Sequence, residues 1–258
     1  MFDSYRLTPD IAIIDSSFCE QLPKGLVAFA GIDAITHAVE AYVSVCANEF
    51  TEGHSLRALK LLTENLVESY ETGSLKSREA VHHGATLAGL AFSNSFLGIC
   101  HSLAHKVGAA FHLPHGLTCG ILLPNVIRYN ASKTPTRMGI YPGYDHPKAL
   151  DRYAEISRYL HLGGTTEVDQ MECFIAKLYE IYEKMNVPTT FQKAGINEAD
   201  FMAKLDEMSL KAFDDQCTPA NPRFPLVAEL KEILKVTYYG SEEYSFNEQA
   251  SEGSAYSE

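Results

Sequence analysis

GIDAITHAVEAYVSV, residues 31–45, is apolar almost all the way round a helix. Ile32, Ile35, Val39, Tyr42 and Val43 recur at three-and-four spacing and make one stripe, while Ala34, Ala38 and Ala41 make a second face of small residues. A helix with almost no solvated side belongs in the middle of a protein. Asp33 and His37 lie four apart on it and point the same way. A second stretch, CHSLAHKVGAAFHLPHG at 100–116, carries His101, His105, His112 and His115. His101 and His105 share a helix face, Pro114 stops that helix, and His115 stands at the entry to the next. A carboxylate and several imidazoles on buried helices are costly unless something compensates them, and a divalent metal ion does so economically.

Outward from these two stretches the pattern is helical. Periodicity predicts helices over roughly 52–71, 77–94, 98–111, 116–131, 148–160, 168–185, 198–212 and 225–239, with a short helix or turn over 25–30 ahead of the first core helix. Gly73-Ser74, Pro135, Pro142-Gly143, Gly163-Gly164 and Pro188 punctuate them, and Asn197 before Glu198 reads as an N-cap. Residues 7–15, LTPDIAIID, have the β-branched character of a buried strand with no parallel partner later in the chain. That strand is either the last one of a preceding α/β domain or an extended arm on the helical body.

The expected organisation is therefore an all-α, multi-helix metal-binding bundle at 25–240. A strand remnant and linker precede it at 1–24, and an acidic, Ser-rich tail expected to be disordered follows at 241–258.

The chain has 258 residues and 46% hydrophobic content, enough for a substantial core. Its net charge of −12 without a basic run argues against a nucleic-acid partner. No run of consecutive apolar residues is long enough for a membrane span, and the N-terminus has no basic-then-apolar signal. Cys19, Cys46, Cys100, Cys119, Cys173 and Cys217 form no CxxC pair and read as reduced thiols of a cytoplasmic protein.

The donor pattern is D-x3-H, 63 intervening residues, then H-x3-H-x9-H. Asp with imidazoles suits Fe(II), Zn(II), Mn(II) or Co(II), and the lack of a thiolate argues against a structural zinc finger. Any one of these histidines alone is by default a hydrogen-bonded core or surface residue. Asp33 with His37 alone is as readily an ordinary i, i+4 pair. Two buried polar patches together call for one explanation. His112 and the His82-His83 pair read as exposed or locally bonded, and His54, His146 and His161 sit in polar surroundings.

GIDAITHAVEAYVS at 31–44 and AFSNSFLGICHSLAHKVGAAFHLPHG at 91–116 resemble the iron-dependent, group III alcohol dehydrogenases. HGLTCGILLPNVIRYN at 115–130, RYAEISRYL at 152–160 and AFDDQCTPANPRFPL at 212–226 resemble one branch, the alcohol dehydrogenase module of bifunctional aldehyde–alcohol dehydrogenases. The resemblance covers nearly the whole chain to about residue 240. It implies an all-α half-module that follows an α/β dinucleotide-binding domain. It also implies Asp33, His37, His101 and His115 as metal ligands, with His105 as a non-ligating active-site histidine beside the nicotinamide and substrate. Leu26 and Phe92 are implied as apolar contacts of the nicotinamide. The cofactors implied are Fe(II), with Zn(II) as the alternative, and NAD(H), held mainly by the missing domain.

The activity implied is interconversion of a short primary alcohol and its aldehyde by hydride transfer, and a homo-oligomer or filament is implied for full-length relatives. The family's phosphate-binding glycine-rich turn is not found here, nor is the aldehyde dehydrogenase half with its nucleophilic cysteine. The expectation is a chain that binds metal but turns over alcohol poorly on its own. Two other classes stay open at this point: a metallohydrolase or lyase on a helical bundle, which the same ligands permit, and a non-catalytic piece that supports assembly.

Overall fold

The computed structural model describes residues 9–132 and 148–240. Among them are nine α-helices: α1 (Lys24–Val43), α2 (Glu49–Glu71), α3 (Leu75–Ser95), α4 (Ile99–Phe111), α5 (His115–Asn130), α6 (Ala149–Tyr159), α7 (Glu167–Lys184), α8 (Glu198–Phe213) and α9 (Val227–Tyr239). Short 3₁₀ turns lie at Ser16–Cys19 and Thr218–Ala220. The expected tail at 241–258 and His146 lie outside the described residues.

Helix α1 is the hub: it packs against α2, α3, α5 and α6. Ile32, Ile35, Ala38, Val39, Ala41 and Tyr42 are fully or almost fully buried, as a helix apolar on every side demands. This helix is long and apolar enough to cross a membrane, but 72% of the qualifying window is buried inside the protein, as in a core helix. The short helix expected over 25–30 is not separate. It is the first part of α1, because neither Gly25 nor Gly31 interrupts the hydrogen-bonded turns. Gly31 is needed for packing: a Cβ there would stand 2.2 Å from Leu66 Cδ1 of α2.

The expected strand over 7–15 is not formed in its described part. Residues 9–15 have no regular structure, and no strand occurs among the described residues. The physical reason is the lack of a partner: unpaired backbone donors and acceptors gain nothing from an extended conformation that water does not already supply. Ile11 and Ile13 are 80% and 89% exposed.

Helix ends follow local chemistry. Asn48 and Thr51 close a reciprocal capping box on α2, Thr166 and Asp169 do so on α7, and Asn197 accepts from the Asp200 N–H at the start of α8. Between α3 and α4 the chain turns through 108°. Phe96 takes a positive φ of 62° at that corner, and Gly98 follows it as the N-cap of α4. The sharp turn aims the start of α4 at Glu40 in the last turn of α1.

Candidate metal centre

Three helix segments deliver the polar side chains. Asp33 and His37 come from successive turns of α1, His101 and His105 from α4, and His115 is the first residue of α5. The convergence depends on how closely α5 approaches α1. A Cβ on Gly116 would lie 1.9 Å from the Phe29 carbonyl oxygen and 3.1 Å from Asp33 Cβ, and one on Gly120 would lie 2.6 Å from Ile32 Cγ2. Glycine at these two positions lets the backbones touch and carries His115 to Asp33.

Asp33 is the focus. Its Oδ1 lies 3.5 Å from His101 Nε2 and 3.4 Å from His115 Nε2, and its Oδ2 lies 3.8 Å from His37 Nε2. The His37 and His101 rings stack with centroids 4.6 Å apart. His105 stacks on His115, centroids 5.4 Å apart, at the edge of this group. The structure thus brings Asp33, His37, His101 and His115 together, with His105 beside them.

The setting differs from a cluster deep between helices. His101 is 1% exposed, whereas the His115 side chain is 42% exposed. Solvent reaches the cluster at His115, the first residue of α5, and at His105, whose side chain is 34% exposed. Phe92 stacks on the outer side of His37, centroids 4.5 Å apart. Leu26 lies on the first turn of α1 and is exposed. His112 is the left-handed C-cap residue of α4, His54 bonds the Phe50 carbonyl, and His82 faces Cys19; none joins the cluster.

Glu40, missed from the sequence, organises the centre. It is buried on α1 and accepts hydrogen bonds from the Cys100 N–H at 2.7 Å and the His101 N–H at 3.4 Å. It also pairs with His101 Nδ1 at 2.5 Å. A carboxylate that faces two helix-start N–H groups neutralises donors with no partner inside α4. It also requires the hydrogen on His101 Nδ1, which turns the Nε2 lone pair toward Asp33.

A second missed residue, Asn221, holds the same helix start. Its Oδ1 accepts from the Ile99 N–H and from Asn130 Nδ2, and its Nδ2 donates to Asn130 Oδ1. The third is Cys119, one turn beyond His115, with Sγ 3.6 Å from His115 Nε2. Donor atoms of Asp33, His101, His115 and Cys119 all lie within 4.8 Å of one another, a group that contains Cys119 in place of His37. Burial pushes the Cys119 thiol well up, so it stands there as S–H and is a poorer ligand than a neutral imidazole.

A cation fits this site. Asp33 Oδ1 and His101 Nε2 are buried without a hydrogen-bond partner, an arrangement that proteins avoid unless something else satisfies such atoms. Burial, reinforced by the charge of His101, lowers the His37 pKa to about 3, and burial lowers that of His115. Both offer lone pairs at neutral pH. Burial raises Asp33, but His101 close by and the charges of the neighbouring imidazoles outweigh it and bring its pKa down to about 2. Burial also disfavours the His101 cation, yet Cys119, Asp33 and Glu40 together raise its pKa well above the usual histidine value. Without a metal, a proton on His101 is the substitute for it.

Comparison with known proteins places the chain in a family. Residues 27–238 match the sequence profile described as "Fe-containing alcohol dehydrogenase family, C-terminal". The chain is 52% identical over 240 residues to the bifunctional aldehyde-alcohol dehydrogenase of Escherichia coli (strain K12), covering 92% of this chain and 27% of that protein. It is 42% identical over 238 residues to the NADPH-dependent butanol dehydrogenase of Clostridium saccharobutylicum, covering 92% of this chain and 57% of that one. The iron-containing alcohol dehydrogenase of Thermococcus thioreducens superposes with a TM-score of 0.78 at 33% identity, over 92% of this chain and 57% of that one. The chain therefore spans about a quarter to a little over half the length of these relatives. By the extent of the matched profile and by its fold, the chain belongs to the Fe-containing alcohol dehydrogenase family and corresponds to that family's C-terminal, helical part.

Proposed function

We propose that this chain is the metal-binding catalytic half of an alcohol dehydrogenase that interconverts a short primary alcohol and its aldehyde with NAD(H). Asp33, His37, His101 and His115 hold the metal, Fe(II) in preference to Zn(II). The observation that carries the reading is the pair of buried, unpartnered atoms, Asp33 Oδ1 and His101 Nε2, at the point where three further imidazoles converge. The relatives' names support the redox chemistry and give no support to the hydrolase or assembly alternatives.

When bound, the metal supplies a Lewis acid for the alcohol or aldehyde oxygen, and the nicotinamide supplies or accepts the hydride. This chain's residues do the rest. Asp33 offsets one unit of the metal's charge, and three neutral imidazoles complete the grip. Glu40 holds His101 in the tautomer that presents Nε2. His105, one turn from His101, outside the ligand set and partly exposed, takes up the alcohol's proton and passes it to solvent. Phe92 against His37 and Leu26 on α1 provide apolar surface that keeps water from the hydride path.

Elemental analysis of wild type, His101→Ala and His105→Ala after loading with Fe(II) or Zn(II) tests the assignment. Metal is expected in wild type and in His105→Ala and is expected to be lost in His101→Ala. Equal retention in all three variants would remove the basis of the proposal.

A further inference from the structure

His105 and Lys106 are adjacent on α4, and both reach one oxygen of Asp215, which arrives from the turn after α8. His105 Nδ1 lies 3.1 Å from Asp215 Oδ2 and Lys106 Nζ lies 2.7 Å from it, while Oδ1 accepts from the Cys217 N–H at 3.0 Å. The Asp215 side chain is only 7% exposed. Burial raises its pKa, but the hydrogen bonds from His105 and Lys106 outweigh that and hold the carboxyl well below its ordinary value. An ionised carboxylate only accepts hydrogen bonds, so the hydrogen of this contact belongs to His105 Nδ1.

His105, Asp215 and Cys217 have donor atoms within 4.8 Å of one another, but the Lys106 ammonium already occupies the place a cation would take. The side chains facing the His105 ring are His101 and His115 on the cluster side and Asp215 on the other.

We infer that Asp215 is a positioning residue for His105: by accepting from Nδ1–H it fixes the tautomer and leaves Nε2 as the one ring nitrogen with a lone pair, beside the donor cluster. Lys106 cancels the carboxylate's charge, so the contact orients the ring without adding net negative charge next to the metal ligands. The inference rests on the role proposed above for His105. In alcohol oxidation the hydride leaves for the nicotinamide and the hydroxyl proton goes to Nε2. The imidazolium so formed keeps its Nδ1–H on Asp215 and then releases the Nε2 proton to solvent. A ring in the opposite tautomer carries hydrogen on Nε2 and has no lone pair there to accept with.

The test is the side-chain ¹⁵N–¹H correlation spectrum of the imidazoles in the metal-free, ¹⁵N-labelled chain at mildly alkaline pH, with His105 assigned through His105→Gln. Wild type is expected to give the Nδ1–H pattern for His105, Asp215→Ala to lose it, Asp215→Glu to restore it, and Lys106→Met to retain it. An Nε2–H pattern in wild type overturns the inference whatever the variants do. A folded Asp215→Ala, judged by its melting transition, that keeps the wild-type pattern overturns it too. Zinc titration of the same wild-type sample separates the two proposals: failure to bind zinc counts against the ligand assignment and leaves the tautomer result standing.

Discussion

Two polar clusters lie a helical turn apart on α4, and they differ in what their atoms lack. Around Asp33, donors and acceptors face one another at 3.4–3.8 Å, too far for good hydrogen bonds, and two buried ones have no partner. Around Asp215, each carboxylate oxygen meets a donor at 2.7–3.1 Å. The first spacing suits a small ion lying between the groups. The second suits direct contact. Incompleteness marks where something else must bind, and completeness marks what holds a neighbour in place.

The strongest way to break the comparison is to push the helices apart. Gly116→Ala puts a methyl group into the Phe29 carbonyl, and overpacking against backbone costs about 3 kcal/mol. Thermal unfolding is expected to drop accordingly, and metal content to fall with it, because Asp33 and His115 separate. A Gly116→Ala protein that melts like wild type and loads fully would mean that the close approach of α1 and α5 does not assemble the cluster.

A sharper test keeps the shape and alters one atom. Glu40→Gln leaves the side-chain volume unchanged but makes His101's orientation indifferent. Losing such an outer carboxylate weakens metal affinity by about 10- to 100-fold, measurable by competition with a chromophoric chelator. Asp215→Asn in the same assay is expected to leave affinity unchanged, since that carboxylate serves His105.

The smallest effect is one of pH. Asp215 has a folded pKa below its ordinary value. Its stabilisation is therefore present above the unfolded pKa, about 3.9, and is lost as pH falls toward the folded value. Wild type should exceed Asp215→Asn by about 1–2 kcal/mol near neutral pH. The two denaturation midpoints should converge as the solution is acidified below about pH 4. A gap that is constant with pH would mean that the carboxylate's charge contributes nothing.

Much of this was legible in the sequence, and the remainder was hidden for definite reasons. The helices follow from periodicity, and α1 betrays its central place by having no polar side. Asp33, His37, His101 and His115 stood out because polar residues at helical spacing interrupt apolar stretches. Glu40 carries the same kind of signal, one turn beyond His37 on that helix, but a glutamate is so ordinary on helices that spacing alone does not single it out. Cys119, four residues after His115, looks in the sequence like the other reduced thiols. Asp215 and Asn221 could not be found by spacing: they meet α4 from more than a hundred residues downstream, and only packing creates those neighbours. The segment at 9–15 presents the opposite case. Its composition suited a sheet, but pairing is a property of two segments, and the described residues supply only one.

The anchoring of α4 by Asn221 has a bearing on biosynthesis. On the ribosome the proposed ligands, all at or before residue 115, emerge ahead of the amide that steadies the helix carrying His101, since Asn221 lies 122 residues beyond Ile99. A domain folds as a unit once its contacts exist. The proposed ligands are therefore made well before the contact that fixes the helix of His101, and the cluster they form is completed only after Asn221 has emerged.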